Sequence, residues 1–271
     1  MDPVLVGIAA REGSAAAVRW GRELAALLGT SLTVASVVVD ESTERQPGES
    51  DEEGEQLRRT AVQKLADEAG AGDAELEVRV GDPLTTLIAI ANERKASIIV
   101  IGSHDAGDGD VPGSGNLALD LLEQGRRTIA VVPDTYEPLD GGKFVVGIDG
   151  TKENAPALKQ AEQIARGAKG AITAVFAYDP LDDTFVLPEG WHRHSDEVRA
   201  ELKRVRSVPV DLVMEPGAPD EVLGGVAKRE NAAAVIVGTR GGHHWFGGHG
   251  SGHVPTHLLH KASCPTIAVP H

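Results

Sequence analysis

Short runs of consecutive apolar residues alternate along this chain with stretches in which apolar positions recur every third or fourth residue. The first pattern is that of a strand buried on both faces of a parallel sheet, and the second that of a helix with one apolar face. In the second half the pattern predicts strands over 144–149, 171–177, 209–214, 233–238 and 266–269. Helices are predicted between them over 153–168, 196–205, 219–229 and 253–261, the third with Pro219 in its first turn. In the first of these, Ala157, Leu158, Ala161, Ile164 and Ala165 fall on one face. Residues 4–132 follow the same order. Five strands alternating with helices specify an α/β fold, a parallel sheet covered on both faces by right-handed crossovers.

The two halves are copies. Val6-Gly7-Ile8 recurs as Val146-Gly147-Ile148, 140 residues on, and Gly81-Asp82-Pro83 as Gly217-Ala218-Pro219, 136 residues on. Ile99-Val100-Ile101-Gly102 recurs as Val235-Ile236-Val237-Gly238, also at 136, and Gly113-Ser114-Gly115 as Gly250-Ser251-Gly252 at 137. Matches in the same order with so little drift mark a tandem duplication. The expected domains are 1–133 and 143–271, joined by a linker over 134–142 that holds Pro138 and a glycine pair. Two segments depart from the repeat. Residues 41–55 are acidic and polar and read as a solvated loop, whereas 179–195 carry Phe185, Leu187 and Trp191 and read as a packed surface loop or a contact.

Charge separates the copies further. The net charge is −15, and residues 1–140 hold 12 basic against 26 acidic side chains while 141–271 hold 14 against 15. The acidic total excludes the basic surface that a nucleic-acid binder needs. No apolar run reaches membrane-spanning length, and Met1-Asp2-Pro3 leads straight into a predicted strand, so a cytoplasmic protein without a membrane partner is expected. The single cysteine, Cys264, fits a reducing compartment and a small buried side chain.

Ligands of open parallel sheets bind beyond the carboxyl ends of the strands, where strand order reverses. In the second copy the first strand ends in Asp149-Gly150-Thr151. The fourth ends in Gly238, opening a glycine-rich stretch to Gly252 that leads directly into a predicted helix. Glycines let backbone N–H groups converge, and a helix N-terminus adds unpaired donors and partial positive charge, so the stretch is built as a phosphate cradle. Asp149 could accept hydrogen bonds from a base or ribose.

These features resemble the universal stress protein family in its tandem two-domain form, over nearly the whole chain. The family pattern is an Asp after the first strand and Gly-x2-Gly-x9-Gly-[Ser/Thr] after the fourth. Asp149, Gly238 and Gly241 match it. Its end is displaced: Gly252 stands one residue late and is followed by His253, while Gly250-Ser251 stands one residue early. The resemblance implies two flavodoxin-like domains with strand order 3-2-1-4-5. It also implies ATP or a related adenine nucleotide, with Mg²⁺, as ligand, and a stress-response or signalling role. The residues expected to hold the nucleotide are Asp149, Gly238, Arg240, Gly241, Gly250, Ser251, Gly252 and His253, with Ser251 or the amides of Gly252 and His253 on phosphate.

The first copy has Ala9 in place of Asp149 and Asp105 in place of Gly241, with Asp108 and Asp110 in the same loop. One carboxylate about 4 Å from a phosphate costs on the order of 4 kcal/mol at an effective dielectric near 20, roughly a thousandfold in affinity. The first copy is therefore expected to be a partner domain without nucleotide. His243, His244, His249, His253, His257 and His260 crowd the second loop and helix, without a carboxylate or cysteine at ligand spacing, and read as exposed or phosphate-facing groups rather than a metal site. No Walker lysine follows the glycines, so catalytic residues are not expected. The preferred reading is a nucleotide binder whose occupied state is read by an unknown protein partner, with homodimerisation open. The alternatives are a slow ATPase and an interaction module with both sites empty.

Overall fold

The computed structural model describes residues 2–8, 14–38, 52–103, 117–151, 154–178, 196, 198–200, 202–239, 258–259 and 264–270, with the backbone alone at 52–55. The chain forms two compact units, Met1–Asp134 and Thr135–His271. The first contains β1 (Val4–Ile8), α1 (Ser14–Leu28), β2 (Leu32–Val38), α2 (Glu52–Glu68), β3 (Glu75–Val80), α3 (Pro83–Glu93), β4 (Ile98–Gly102), α4 (Leu117–Gly125) and β5 (Thr128–Val132). The second contains β6 (Lys143–Gly147), α5 (Ala155–Gly167), β7 (Ala171–Tyr178), β8 (Val210–Pro216), α6 (Pro219–Glu230), β9 (Ala234–Gly238) and β10 (Thr266–Val269). Residues 198–200 and 258–259 are helical as well.

All strands within each unit pair in parallel. The order is β3-β2-β1-β4-β5 in the first. It is β8-β7-β6-β9-β10 in the second. Both are the flavodoxin-like order 3-2-1-4-5 that the resemblance implies, in the parallel sheet that the pattern predicts. β1, β4 and β5 are buried along their whole length, as continuous apolar runs covered on both faces should be. Trp20 and Leu24 of α1 close one core, and Phe144 and Ile164 the other. The buried face of α5 consists of Ala157, Leu158, Ala161, Ile164 and Ala165, the stripe its periodicity predicts. Full burial of Ile164 alone contributes about 1.5–3 kcal/mol.

Boundaries moved by small amounts. β6 runs over Lys143–Gly147 rather than 144–149, because after the Ile148 N–H donates to the Val175 carbonyl at 2.9 Å the chain turns on the Asp149 side chain. The stretch 135–142 is packed on the second unit. Leu139 is fully buried, the Gly141 N–H donates to the Ala168 carbonyl at 2.6 Å, and the Gly142 carbonyl accepts from Ala171 at 3.2 Å. Among the described residues no helix is long and apolar enough to cross a membrane.

The duplication reaches individual contacts. A Cβ on Gly7 would lie 3.1 Å from Leu87 Cδ1 and 3.4 Å from Ile101 Cγ2, and one on Gly147 would lie 3.1 Å from Leu223 Cδ1 and 3.3 Å from Val237 Cγ1. The helix after the third strand therefore rests on the backbone of the central strand in both units. Ion pairs repeat in place but with reversed polarity. Arg79 of β3 holds Glu93 of α3 through two bonds of 3.0 and 2.6 Å, whereas Glu215 of β8 holds Arg229 of α6 at 2.6 Å. One residue on, Arg94 bridges Glu75 and Glu77, while its counterpart Glu230 meets Lys143 at 3.6 Å and the Thr173 hydroxyl at 2.6 Å.

Hydrogen bonding from Arg94, with a further contribution from Arg79, holds the Glu77 carboxyl below its usual range despite partial burial. A lowered folded-state pKa gives stability that is complete above the unfolded value and lost as pH falls through the folded one. Glu77→Gln should therefore be less stable than the parent at neutral pH. Its deficit in urea midpoint should shrink as the pH is lowered from about 5 to about 3. A deficit that stays constant over that range would show that the carboxylate's ionisation contributes nothing.

Candidate functional site

The second unit's switch point lies between β6 and β9. From β6 the chain crosses to β7 on one side, and from β8 it returns through α6 to β9 on the other. The register pairs Val146 with Ile236, so the chain leaves both strands at the same level: β6 through Ile148 and Asp149, β9 through Gly238 and Thr239. Crossovers diverge here, and in open parallel sheets such divergence leaves a crevice between the carboxyl ends of the two strands.

On the β6 side the local chemistry fixes the turn. Asp149 Oδ1 accepts from the Thr151 N–H at 2.9 Å and from its hydroxyl at 2.7 Å. Gly150 sits at φ +76°, a conformation that a side chain would strain. An aspartate that draws two donors from two residues ahead makes an Asx turn, which aims the following chain and holds its own carboxylate at the strand end. Asp149, Gly150 and Thr151 are each half-buried.

Asn154 completes the junction. It occupies the N-cap position of α5 yet makes no capping bond with its side chain. Its Nδ2 instead donates to the Gly147 carbonyl at 3.0 Å, and the residue is 5 % exposed. The amide thus ties the first turn of α5 to the last residue of β6. The sequence reading missed this residue. The available signal is an asparagine two places before Pro156, at the start of a predicted helix.

On the β9 side, Gly238 ends the strand and the Thr239 N–H donates to the Val269 carbonyl at 3.1 Å, so the chain stays tied to β10 as it leaves the sheet. Ser103 repeats that bond in the first unit, to Val132 at 2.8 Å. The structure thus brings Asp149 and Gly238 to the ends of neighbouring strands. The remaining expected residues, Arg240, Gly241, Gly250, Ser251, Gly252 and His253, lie outside the described residues, as do Ala9, Asp105, Asp108, Asp110 and every histidine. The segments 41–51 and 179–195 also lie outside them. Among the described residues no group of three or more His, Cys, Asp or Glu could hold a metal. Cys264 is half-buried, and desolvation pushes its thiol up to about 11.

The first unit departs from the second within this junction. Ser14 stands at the place of Asn154, is 2 % exposed, and its hydroxyl has no hydrogen-bond partner among the described residues. Among the described residues the first unit therefore shows no counterpart of the Asn154 tie.

The second unit is thus a doubly wound α/β domain with an Asx-turned aspartate and a glycine-terminated strand on either side of its switch point, the place where open parallel sheets bind ligands. The universal stress protein family model matches this chain twice, at residues 1–122 and 142–270, and the chain belongs to that family. Among solved structures it is similar to a universal stress protein from Archaeoglobus fulgidus, at 17 % identity and TM-score 0.72, covering 99 % of this chain and 98 % of that one. It is also similar to a functionally unknown protein from Pseudomonas aeruginosa, at 17 % identity and TM-score 0.70, covering 100 % and 92 %. Comparison with curated proteins finds no match.

Asn154→Ala should cost about 1–3 kcal/mol, because it strands the Gly147 carbonyl that the amide satisfies. Urea unfolding should register the loss, and Ser14→Ala in the first unit should cost far less. Equal losses in the two variants would refute the tie.

Proposed function

We propose that the second domain binds an adenine nucleotide, ATP with Mg²⁺, and that a protein partner reads its occupancy in a cytoplasmic stress-response role. The observation that carries the reading is the placement of Asp149 and Gly238 at the ends of adjacent strands across the switch point. Membership of the universal stress protein family supports it. So does the sequence beyond Gly238, where glycines lead into a helical stretch and can turn N–H groups toward phosphate. In this reading Asp149 takes hydrogen bonds from the base or ribose, Gly241 leaves room for the phosphates, and Ser251, Gly252 and His253 meet them. Arg240 and Gly250 belong to the same loop. The first domain, with Ala9, Asp105, Asp108 and Asp110, takes no nucleotide and serves as partner domain.

Calorimetric titration of the full chain with Mg·ATP tests this. One site per chain is expected. Asp149→Ala combined with Gly241→Asp should weaken binding at least about a thousandfold, the cost of one close carboxylate. Retention of tight binding in that double variant would reject the assignment. Phosphate release at a steady rate would replace the binder with an ATPase, and no binding at all would leave an interaction module.

A further inference from the structure

Among the described residues no strand pairs with the outer edge of β8, and the geometry of its ladder identifies which backbone groups it offers. In a parallel pair a residue directs its N–H and C=O to the same side, and the next residue directs both to the other. The Pro209 carbonyl accepts from Ile172 at 2.9 Å and the Gly217 N–H donates to Tyr178 at 3.0 Å, both toward β7. Asp211, Val213 and Glu215 share that parity. The N–H and C=O groups of Val210, Leu212 and Met214 therefore face away from β7 and have no backbone partner among the described residues.

A groove of about 700 Å³ runs along this edge. Val210, Leu212 and the oppositely directed Asp211 all line it, which places it at the rim of the sheet rather than over one face. Leu202, Val205 and Val208 give it an apolar floor. Among the described residues its charge lies in Arg199 and Lys203 against Asp196 and Asp211, and exposed Arg204 and Arg206 adjoin it in sequence. The side chains of Arg199, Lys203 and Arg204 form no ion pair among the described residues. The nearby Glu162 carboxylate is already held by the Ser207 hydroxyl at 2.6 Å and by the N–H groups of Arg206 and Ser207.

Comparison with the other copy shows what this edge lacks. β3 carries Glu75, Glu77 and Arg79, locked to Arg94 and Glu93, and such charges blunt an edge strand. In β8, Asp211 and Glu215 keep charge at the places of Glu75 and Arg79, Glu215 paired with Arg229, but Val213 replaces Glu77, and Glu230 at the place of Arg94 is drawn inward to Lys143 and Thr173.

We propose that the β8 edge of the second domain takes up an extended acidic peptide segment of a partner protein by strand addition. Its backbone pairs with Val210, Leu212 and Met214, its apolar side chains rest on Leu202 and Val205, and its carboxylates meet the basic end at Lys203 and Arg204. This surface is separate from the crevice beyond β6 and β9, and the proposal does not depend on nucleotide.

The test uses the full chain and two fluorescent octapeptides, one alternating Glu with Val and one alternating Lys with Val. Anisotropy should show the Glu peptide binding about tenfold or more tightly over the Lys peptide at low salt, the sum of a few exposed ion pairs. Lys203→Glu with Arg204→Glu, both on the surface, should invert that order while leaving the urea midpoint unchanged. Hydrogen exchange at Val210, Leu212 and Met214 should slow when the Glu peptide is bound. Equal affinity for both peptides, binding of neither, or protection elsewhere would overturn the proposal. Protection of the same amides by raising protein concentration alone would overturn it in favour of a second copy of this chain.

Discussion

In each unit a central strand is hydrogen-bonded on both sides to parallel neighbours whose connections depart in opposite directions. β1 lies between β2 and β4, and β6 between β7 and β9. Parallel pairing requires a crossover for every strand, and the crossovers cover both faces. Opposite departures leave the carboxyl end of the central strand uncovered. Glycine at Gly7 and Gly147 lets the helix after the third strand press onto that strand, so the frame beneath the opening is close-packed in both copies. Everything proposed for the second domain's crevice depends on this frame, because it holds the Asp149 turn and the Gly238 exit side by side.

With the frame held in common, divergence is confined to what is mounted on it. Where Asn154 ties α5 to β6, Ser14 buries a hydroxyl without a partner among the described residues. Where Arg79 pairs with Glu93, Glu215 pairs with Arg229. A charge pair within one strand–helix segment can exchange its signs and keep its attraction, so such positions are free to drift after duplication. The glycines under the helix are not, because any Cβ there meets packed side chains. Relaxed constraint in the first domain and a retained turn in the second are what a duplicated binding domain would show if one copy kept the ligand and the other became its structural partner.

Much of this was legible in the sequence. The parallel sheet followed from alternating elements, its strand order from the family resemblance, and the α5 core face from the spacing of Ala157, Leu158, Ala161, Ile164 and Ala165. Asp149 and Gly238 stand at the strand ends where pattern put them. Asn154 was not legible, because its bond to the Gly147 carbonyl replaces the N-cap bond that an asparagine at a helix start leads one to expect. The reversed ion pairs were hidden for a different reason: each is unremarkable in its own copy, and their equivalence appears only when strand and helix are superposed in the repeat. The reading of the β8 edge depends on which backbone groups face away from β7, and no side-chain pattern encodes that parity.

The central claim is that one chain with two equivalent frames carries one working nucleotide site. Native mass spectrometry of the full chain across a rising series of ATP concentrations reads it directly. The account predicts saturation at a single nucleotide per chain, with the adduct lost in Asp149→Ala and kept when Asp105 in the first domain is replaced by asparagine. Saturation at two nucleotides, or a single adduct that survives Asp149→Ala, would contradict it.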